Sequence, residues 1–389
     1  MDKFIPLSVP NLRGKELEYV ARTIETEWVS TGGKYINKFE ENISGYLGVE
    51  NAVACQSGTA GLHLALKLAG AEHDDEVIVP TLTFIAAVNP IKYLGAEPVF
   101  MDCDNSLNMD LDKLEKFCKE ECSLTGDGLT NNKTGKGIRA LVIVHVFGNM
   151  ADMERLMDIA ERYNLKVVED ATEALGTYST DGKYREKYAG TIGDFGVYSF
   201  NGNKIITTGG GGMLVAKDKN LLDKARYLST QAKDDELYYI HNEIGFNYRM
   251  TNLQAALGVA QLEQLEDFID IKTDNYKLYK EQISNIKGLD LLEFNKNTRP
   301  NYWFYSLIID KDEYGLNRDE LLVKLNNKNI QTRPVWGLIH KQKPYVHNQN
   351  YKIEKADGYI NKILNIPCSS NLTIEEIKYI AKTLKELKR

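Results

Sequence analysis

The sequence has few cysteines, and they form no recognisable set. They are odd in number, and only one pair of them is close in sequence. Neither a second pair nor a histidine cluster completes a zinc-binding set, so we expect no metal site. The count is typical of a reduced, cytoplasmic protein rather than of a disulfide scaffold. The cysteines are Cys55, Cys103, Cys118, Cys122 and Cys368.

Long apolar runs and a surplus of positive charge are also absent. No stretch approaches the roughly 20 apolar residues of a membrane helix, and the opening MDKFIPLSVPNLRG contains no apolar signal core. The formal net charge is -7, whereas proteins that bind nucleic acid usually carry a basic surplus. We therefore expect a cytoplasmic protein that binds neither membranes nor nucleic acid.

The first half of the chain alternates short apolar runs with helical patterns. This alternation indicates βαβ units and a mainly parallel sheet. Runs such as LVIV, which are apolar on both faces, belong in the middle of that sheet. The expected strands are NAVAC at 51–55, EVIVP at 76–80, PVFMD at 98–102, RALVIVHVFG at 139–148 and KVVEDA at 166–171.

The second half follows a different pattern. Two further strands, FGVYSF and GGMLVAKD, flank a glycine-rich turn, and a long helical stretch starts at residue 251. A smaller α+β region follows it. Because 389 residues exceed one ordinary core, we predict a large domain at 1–250 and a small domain at 251–389. The polar, glycine-rich segment 123–137 is predicted to be a surface loop.

Residues with chemical capability follow the first two strands, at the edge where open parallel sheets bind ligands. Ser57, Gly58 and Thr59 open a helix after the first strand. Free backbone N–H groups at such a helix start can hold a phosphate, or Ser57 can simply cap the helix. Phe84 follows the second strand and either stacks on a planar ring or belongs to the core.

A carboxylate and a lysine follow the later strands. Asp170 ends the fifth strand, where a pyridinium N–H would hold it ionised, unless it only caps the next segment. Glu173 lies one turn further on the same side. Lys204 stands among small residues before four glycines at 209–212, as a buried reactive group or as a surface lysine. Their order along one sheet edge indicates a single site.

Five long segments carry a family pattern. They are WVSTGGKYINKFEENISGYLGVENAVACQSGTAGLHLAL, VIVPTLTFIAAVNPIKYLGAEPVFMD, VVEDATEALGT, GDFGVYSFNGNKIITTGGGGML and GFNYRMTNLQAALG. Together they resemble the DegT/DnrJ family of pyridoxal-phosphate (PLP) sugar aminotransferases. The resemblance implies the α/β fold type I, with a mainly parallel seven-stranded sheet between helices in the large domain. A smaller α+β domain would follow, with the N-terminal segment packed on it.

The resemblance also implies a role for each residue at the strand ends. Lys204 is expected to hold PLP as a Schiff base, with pyridoxamine phosphate formed during the cycle, and Asp170 to bind the ring nitrogen. Glu173 stands beside the phenolic oxygen, where many members have glutamine, so its carboxylate must be protonated or find another donor. Asn247 is expected to reach the phosphate from the neighbouring subunit of a homodimer. The remaining assignments are Phe84 stacked on the ring, Gly58, Thr59, Ala60 and Ser199 at the phosphate, and His145, Arg333, Trp28 and Thr31 lining the substrate site.

The expected reaction moves an amino group from L-glutamate to a keto sugar carried by a nucleotide. The run SFNGNKIITTGGGGML is most similar to the branch that aminates UDP-linked 4-keto-6-deoxy-N-acetylglucosamine in bacillosamine and legionaminic acid pathways. The product would be a UDP-4-amino-4,6-dideoxy-N-acetylhexosamine for surface glycans or protein glycosylation.

Three other functions stay open or are disfavoured. The same chemistry on a GDP-linked or dTDP-linked keto sugar is the first alternative. A non-catalytic binding protein on this scaffold is the second, although such a protein would be expected to lack Lys204 or Asp170. A nicotinamide enzyme would need GxGxxG after the first strand, and CQSGTAG does not supply it.

Overall fold

The computed structural model describes residues 3–126, 128–235 and 237–389. The strands in these residues are β1 (Val53–Cys55), β2 (Glu76–Pro80), β3 (Glu97–Met101), β4 (Cys122–Thr125), β5 (Gly128–Asn131), β6 (Gly137–Val144), β7 (Lys166–Asp170), β8 (Tyr178–Ser179), β9 (Phe195–Ser199), β10 (Gly212–Ala216), β11 (Leu289–Leu291), β12 (Thr298–Arg299), β13 (Tyr305–Ile309), β14 (Arg333–Pro334), β15 (Asn350–Tyr351) and β16 (Ile363–Ile366). The helices are α1 (Glu16–Glu25), α2 (Lys34–Leu47), α3 (Gly58–Leu68), α4 (Asn89–Tyr93), α5 (Leu111–Glu120), α6 (Met153–Arg162), α7 (Lys219–Ser229), α8 (Asn252–Leu262), α9 (Leu265–Ile283), α10 (Lys311–Tyr314), α11 (Arg318–Asn326), α12 (Lys355–Tyr359) and α13 (Ile374–Leu387).

The central layer is a mostly parallel sheet in the order β1-β10-β9-β7-β6-β2-β3-β15. Only β10 runs against its neighbours β1 and β9 along this path. Alternate residues of β6 enter two separate hydrophobic cores, Val142 on one face and Ile143 on the other. This explains why β6 is apolar from Ala140 to Val144. The α/β fold class is confirmed. The seven expected strands are, in their order across the sheet, β1, β10, β9, β7, β6, β2 and β3. The strand β15 and the β4–β5 hairpin extend this sheet.

Two local predictions differ from the structure. The segment 123–137 was expected to be a loop, but the described part of it forms the β4–β5 hairpin, which pairs with β6; residue 127 lies outside the described residues. Its serine and threonine side chains alternate with only one buried leucine, Leu129, too weak a pattern to indicate strands. The single helical stretch after residue 251 is two helices. α8 packs on α1 and α2, whereas α9 packs on α13.

The C-terminal region has its own antiparallel sheet in the order β11-β13-β16-β14. The N-terminal segment crosses to this region: Ile5 forms a bridge with Ile330, and the Leu7 carbonyl accepts a hydrogen bond from the Cys368 N–H at 2.8 Å. Residues 5–7 therefore pack beside residues of the C-terminal region. The proposed division at residue 250 stays a prediction.

The cysteines are free, buried thiols. Across the described ranges, none of the helices has the length and apolar character needed to cross a lipid bilayer.

A buried carboxylate joins the C-terminal region to the central sheet. Asp102, fully buried just after β3, accepts the N–H groups of residues 354, 355 and 356 at 2.9 Å each. It also accepts the Lys113 ammonium at 2.7 Å. Burial opposes the charge, but these donors outweigh it and lower the pKa of Asp102. The carboxylate thus holds the first turn of α12 in place.

Asp102→Asn should destabilise the protein strongly. The amide presents N–H groups to the backbone donors and takes the buried carboxylate away from Lys113, whose pairing with the exposed Glu354 does not replace it, a loss of about 3–5 kcal/mol. Denaturant unfolding measures it. Asp112→Asn is the matched control. Asp112 forms an exposed ion pair with Arg155, and such a pair should contribute less than about 1 kcal/mol to the free energy of unfolding. Equal losses in the two variants would contradict the role of Asp102.

Candidate active site

A cavity of about 340 Å³ lies at the carboxyl ends of the parallel strands. Strand ends form its floor, and residues from the C-terminal region form its far wall. It collects the residues Ser57, Gly58, Thr59, Leu62, Thr83, Phe84, Ala86, Ala87, Val144, Asp170, Thr172, Glu173, Ser199, Asn201, Asn203, Lys204, Gly210, Gly211, Trp303, Phe304 and Trp336.

The start of α3 forms one side of the cavity. The Ser57 hydroxyl accepts the Ala60 N–H at 3.1 Å, so Ser57 is the helix cap. Gly58 allows the helix to begin close to the neighbouring loops, because a Cβ there would lie 3.0 Å from side-chain atoms of Ser199 and Thr172. Such a helix start, with its N–H groups and its dipole, favours an anion in the cavity.

Asp170 lies at the floor of the cavity, at the end of β7, and is only 4 % exposed. Its carboxylate accepts the Thr172 N–H at 3.1 Å, and no ion pair to it forms within the described residues. Burial raises the pKa of Asp170, and the Thr172 hydrogen bonds and the charge of Lys204 oppose the rise. The following residues form turns rather than a helix, so Asp170 is not a helix cap. A buried carboxylate without an ion-pair partner fits a ligand with a cationic ring nitrogen.

Glu173 and Lys204 meet beside Asp170. The Lys204 Nζ lies 3.7 Å from Glu173 Oε1, and the lysine side chain is 13 % exposed, so Lys204 is not a surface lysine. Glu173 Oε2 accepts the Phe147 N–H at 2.8 Å. Phe147 has a φ of 57°, a left-handed conformation that is costly for this residue type and occurs at functional sites. Burial raises the pKa of Glu173 to about 7, with a further rise from Asp170, although Lys204 and the Phe147 N–H oppose it.

Aromatic rings line the mouth and the far wall. Phe84 is 53 % exposed, so it is not a core residue and its ring face is free to stack on a planar ligand. Its centroid lies 6.5 Å from that of Trp336. Trp303 stacks on Phe304 at 4.0 Å, and Lys204 Nζ lies 4.2 Å from the centroid of the Trp303 ring system.

The sequence reasoning missed this far wall. Trp303, Phe304 and Trp336 follow or precede strands more than 90 residues after Lys204, where aromatic side chains indicate an ordinary core. The only available signal was the density of aromatic residues in WFYS and RPVW. Sequence alone does not indicate that this region folds back onto the strand ends.

The other candidate residues lie at different places. Ser199 lines the cavity at the end of β9, and Ala60 is buried just behind the helix start. Thr31 lines a separate cavity of about 300 Å³ that also contains Arg249. Trp28 is 63 % exposed, and Arg333 and Asn247 are exposed outside the cavity lining.

His145 is held away from the cavity. Its ring is fully buried, with Nε2 2.9 Å from Glu169 Oε2. Its Nδ1 accepts the Ala151 N–H at 3.2 Å. Glu169 also accepts the N–H groups of Gly190 and Ile192, at 2.7 and 2.6 Å. Both ring nitrogens therefore form hydrogen bonds to other residues of the protein, and these bonds tie His145 to the end of β7 and to the segment before α6. Its expected contact with substrate, like those of Arg333, Trp28 and Thr31, stays a prediction.

Glu173→Gln should remove a pH-dependent loss of stability from the ligand-free protein. Because the folded pKa of Glu173 is raised from 4.5 to about 7, its stabilising contribution is complete below about pH 4.5 and is lost as the pH rises through about 7. Glutamine has the same shape but does not ionise. The variant should therefore gain a few kcal/mol on the wild type between about pH 5 and about pH 8. Unfolding midpoints at both pH values measure the gain.

Glu293→Gln is the control, because Glu293 is 67 % exposed beside Lys280. It should follow the wild-type pH dependence. A Glu173→Gln protein that did the same would refute the assignment of a buried, ionising carboxyl.

Known proteins are similar to this chain in both sequence and fold. Residues 10–385 match the DegT/DnrJ/EryC1/StrS aminotransferase family. The GDP-perosamine synthase of Escherichia coli O157:H7 is 39% identical over 99% of this chain and 98% of its own length. The UDP-4-amino-4,6-dideoxy-N-acetyl-beta-L-altrosamine transaminase of Campylobacter jejuni is 27% identical, over 98% and 96%.

A solved structure agrees with this result. DesI, determined in the presence of its TDP-sugar product, superposes with a TM-score of 0.86 over 99% of this chain and 93% of its own, at 27% identity. The lysine and the two buried carboxyls of the cavity thus occur on a fold that a solved aminotransferase of this family shares. The chain belongs to the DegT/DnrJ/EryC1/StrS aminotransferase family, the PLP-dependent sugar aminotransferases.

Proposed function

We propose that this chain transfers the amino group of L-glutamate to the keto carbon of a nucleotide-linked 4-keto-6-deoxy sugar, in the cavity at the strand ends. The observation that carries the proposal is the presence of Lys204, Asp170 and Glu173 in one cavity beside the exposed ring of Phe84. A non-catalytic binding protein would have no need of a lysine held among buried carboxyls.

The cavity residues fit PLP. Lys204 would attach it, Asp170 would pair with the ring nitrogen and Phe84 would stack on the ring. The first turn of α3, with Ser199 opposite, would hold the phosphate through Gly58, Thr59 and Ala60. When bound, PLP withdraws electrons from the amino donor and so weakens its α-C–H bond.

The protein supplies proton movement and position. An ionised Asp170 keeps its partner nitrogen protonated, which sustains the electron withdrawal. Once free, the Lys204 amine takes the proton from the α-carbon of the amino donor. It then passes this proton to an acceptor atom within the same site. The rings of Phe84, Trp303 and Trp336 limit the access of water, which strengthens the electrostatic interactions inside.

We favour a GDP-linked sugar as the acceptor. The support is the 39% identity to a GDP-perosamine synthase, against 27% to a transaminase named for a UDP sugar. The UDP-linked 4-keto-6-deoxy-N-acetylglucosamine is the second candidate, on the similarity of the SFNGNKIITTGGGGML run. In either case the aminated sugar would enter polysaccharide biosynthesis.

The spectrum of the PLP-loaded protein tests both parts. Glutamate should bleach the yellow band of PLP attached to Lys204, because the amino group moves to the cofactor. The GDP-linked 4-keto-6-deoxy sugar should restore the band faster than the UDP-linked sugar. Lys204→Ala should form no such band and should lose turnover by several orders of magnitude.

Each outcome has a distinct meaning. Faster restoration by the UDP sugar would overturn the choice of nucleotide but not the transamination. No bleaching by glutamate would overturn the donor. A wild-type protein without the band would refute the whole proposal.

We also propose a homodimer with shared sites. Asn247 is exposed, outside the cavity of its own chain. The preceding segment presents large apolar side chains to solvent: Leu237, Tyr238 and Tyr239 are 75%, 73% and 72% exposed, and Ile244 is 87% exposed. Apolar side chains concentrated in this way are typical of a surface covered by another chain, and a second copy would bring the partner subunit's Asn247 to the phosphate.

Mixed dimers test the sharing. Asn247→Ala alone should weaken PLP retention about tenfold, through the loss of a hydrogen bond to a charged group. A dimer of one Asn247→Ala chain and one Lys204→Ala chain should regain one intact site and retain PLP there as tightly as the wild type. If the mixed dimer retains PLP no better than the Asn247→Ala homodimer, Asn247 acts within its own chain or not at all.

A further inference from the structure

The amine of Lys204 is enclosed by a carboxyl group and an aromatic face. Glu173 Oε1 lies 3.7 Å from Nζ, and the centroid of the Trp303 ring system lies 4.2 Å from it. Trp303 is 3 % exposed and Glu173 4 % exposed, so both contacts are shielded from water. A ring face attracts an ammonium group electrostatically, most strongly where water is excluded.

Three chain segments are tied together around this amine. The Trp303 indole N–H donates to the Asn203 carbonyl at 2.7 Å, directly before Lys204. The fully buried Asn301 donates to the carbonyls of Glu173 and Leu175, at 2.9 Å each, and accepts the Trp303 N–H at 3.0 Å. The ring, the carboxyl and the lysine therefore keep fixed relative positions.

Asn301 needs a glycine opposite to fit. Gly148 has a φ of 86°, and a Cβ there would collide with the Asn301 side-chain oxygen. Alanine at this position would displace the asparagine that ties the segments together.

The two oxygens of Glu173 are not equivalent. Oε2 is occupied by the Phe147 N–H, whereas Oε1 faces the amine. The groups that act on Glu173 are Lys204, from the turn after β9, and Asp170, from the end of β7. His145, from the end of β6, acts on Asp170. The segment 301–304 contributes no charged group. Oε1 is thus the oxygen that can take a proton, and the Lys204 ammonium is its nearest source.

We propose that Glu173 takes the proton that Lys204 must lose before its amine can react, and that Trp303 is a positioning residue that keeps the amine beside Oε1. The step is a transfer of one proton from the Lys204 ammonium to the Glu173 carboxylate, which leaves a neutral amine and a neutral carboxylic acid. No other reactant is needed. The reverse transfer re-forms the ammonium and the carboxylate. The inference rests on the proposed role of Lys204 as the attachment site.

The transfer has a support in electrostatics. Because the pKa of Glu173 is raised to about 7 by burial, the carboxyl exchanges its proton in the neutral range, where an ordinary glutamate would stay ionised. The Lys204 side chain is only 13 % exposed, so few water molecules compete with Glu173 for its proton.

The test measures how fast full-length, PLP-free protein attaches PLP at different pH values. Attachment needs a neutral amine, and borohydride reduction with mass spectrometry confirms that it occurs at Lys204. In the wild type the rate should rise with pH and level off above about 7, where Glu173 is ionised and able to accept the proton. In Glu173→Gln the rate should fall about tenfold near neutral pH and should keep rising just above pH 7, where the wild type has levelled off, because only water can take the proton.

Two further variants separate proton transfer from simple support. Glu173→Asp keeps a carboxyl and should restore the levelling at a lower rate, even if Glu173→Gln folds poorly. Trp303→Leu should lower the plateau by about 10- to 100-fold, because the amine is no longer held beside Oε1 and a displacement of about 1 Å can cost that much. Trp303→Phe should recover most of the loss. Tyr302→Phe is the control, because Tyr302 packs on Tyr276 and Phe294 outside the cavity lining.

The outcomes distinguish this inference from the proposed function. A Glu173→Gln protein with the wild-type pH profile, scaled or unscaled, would overturn the proton transfer while leaving Lys204 as the attachment site. A Trp303→Leu plateau equal to that of Tyr302→Phe would overturn the positioning role. Failure of the wild type to attach PLP at Lys204 would instead refute the proposed function.

Discussion

The whole site depends on a charge constraint. Two carboxyl groups, Asp170 and Glu173, lie buried at the end of a strand that both cores enclose, and within the described residues Lys204 is the ammonium group beside them. Ionising both carboxyls there is expensive without further positive charge. Glu173 meets this constraint through a raised pKa, while Asp170 would meet it if it paired with the cationic ring nitrogen of the proposed cofactor. Under the proposed function, the need of Asp170 for a cationic partner would favour binding of a cofactor that carries a protonated ring nitrogen.

Much of this arrangement could be predicted because it follows from strand ends. Parallel strands deliver their following residues to one edge, so Gly58, Phe84, Asp170 and Lys204 met as their order suggested. The alternatives that were open for single residues are decided by surroundings that the sequence does not record. Phe84 is exposed, the segment after Asp170 is not helical, and Ser57 does cap its helix.

The far wall of the cavity could not be predicted, because its position also depends on tertiary surroundings that the sequence does not record. Trp303 and Trp336 lie beside β13 and β14 of a separate antiparallel sheet, and their distance along the chain does not indicate that they line the cavity. An aromatic residue beside a strand is usually core, and only tertiary packing decides otherwise. The β4–β5 hairpin was missed because its strands have little apolar alternation. The break between α8 and α9 was missed because the residues at the break, Glu263 and Gln264, are good helix formers rather than proline or glycine.

The crossing of the N-terminal segment has a consequence for how the chain acquires its structure. The Val9 N–H binds the Ser369 hydroxyl, a contact between residues 360 positions apart. Contacts of such long range carry a large entropic cost of loop closure and form slowly. During synthesis residues 5–9 leave the ribosome long before their contact partners at 330 and 369 have been made. The small sheet, the edge strand β15 and the wall that contains Trp303 are therefore completed last, and newly made chains pass through a stage in which most of the central sheet surrounds an unfinished site.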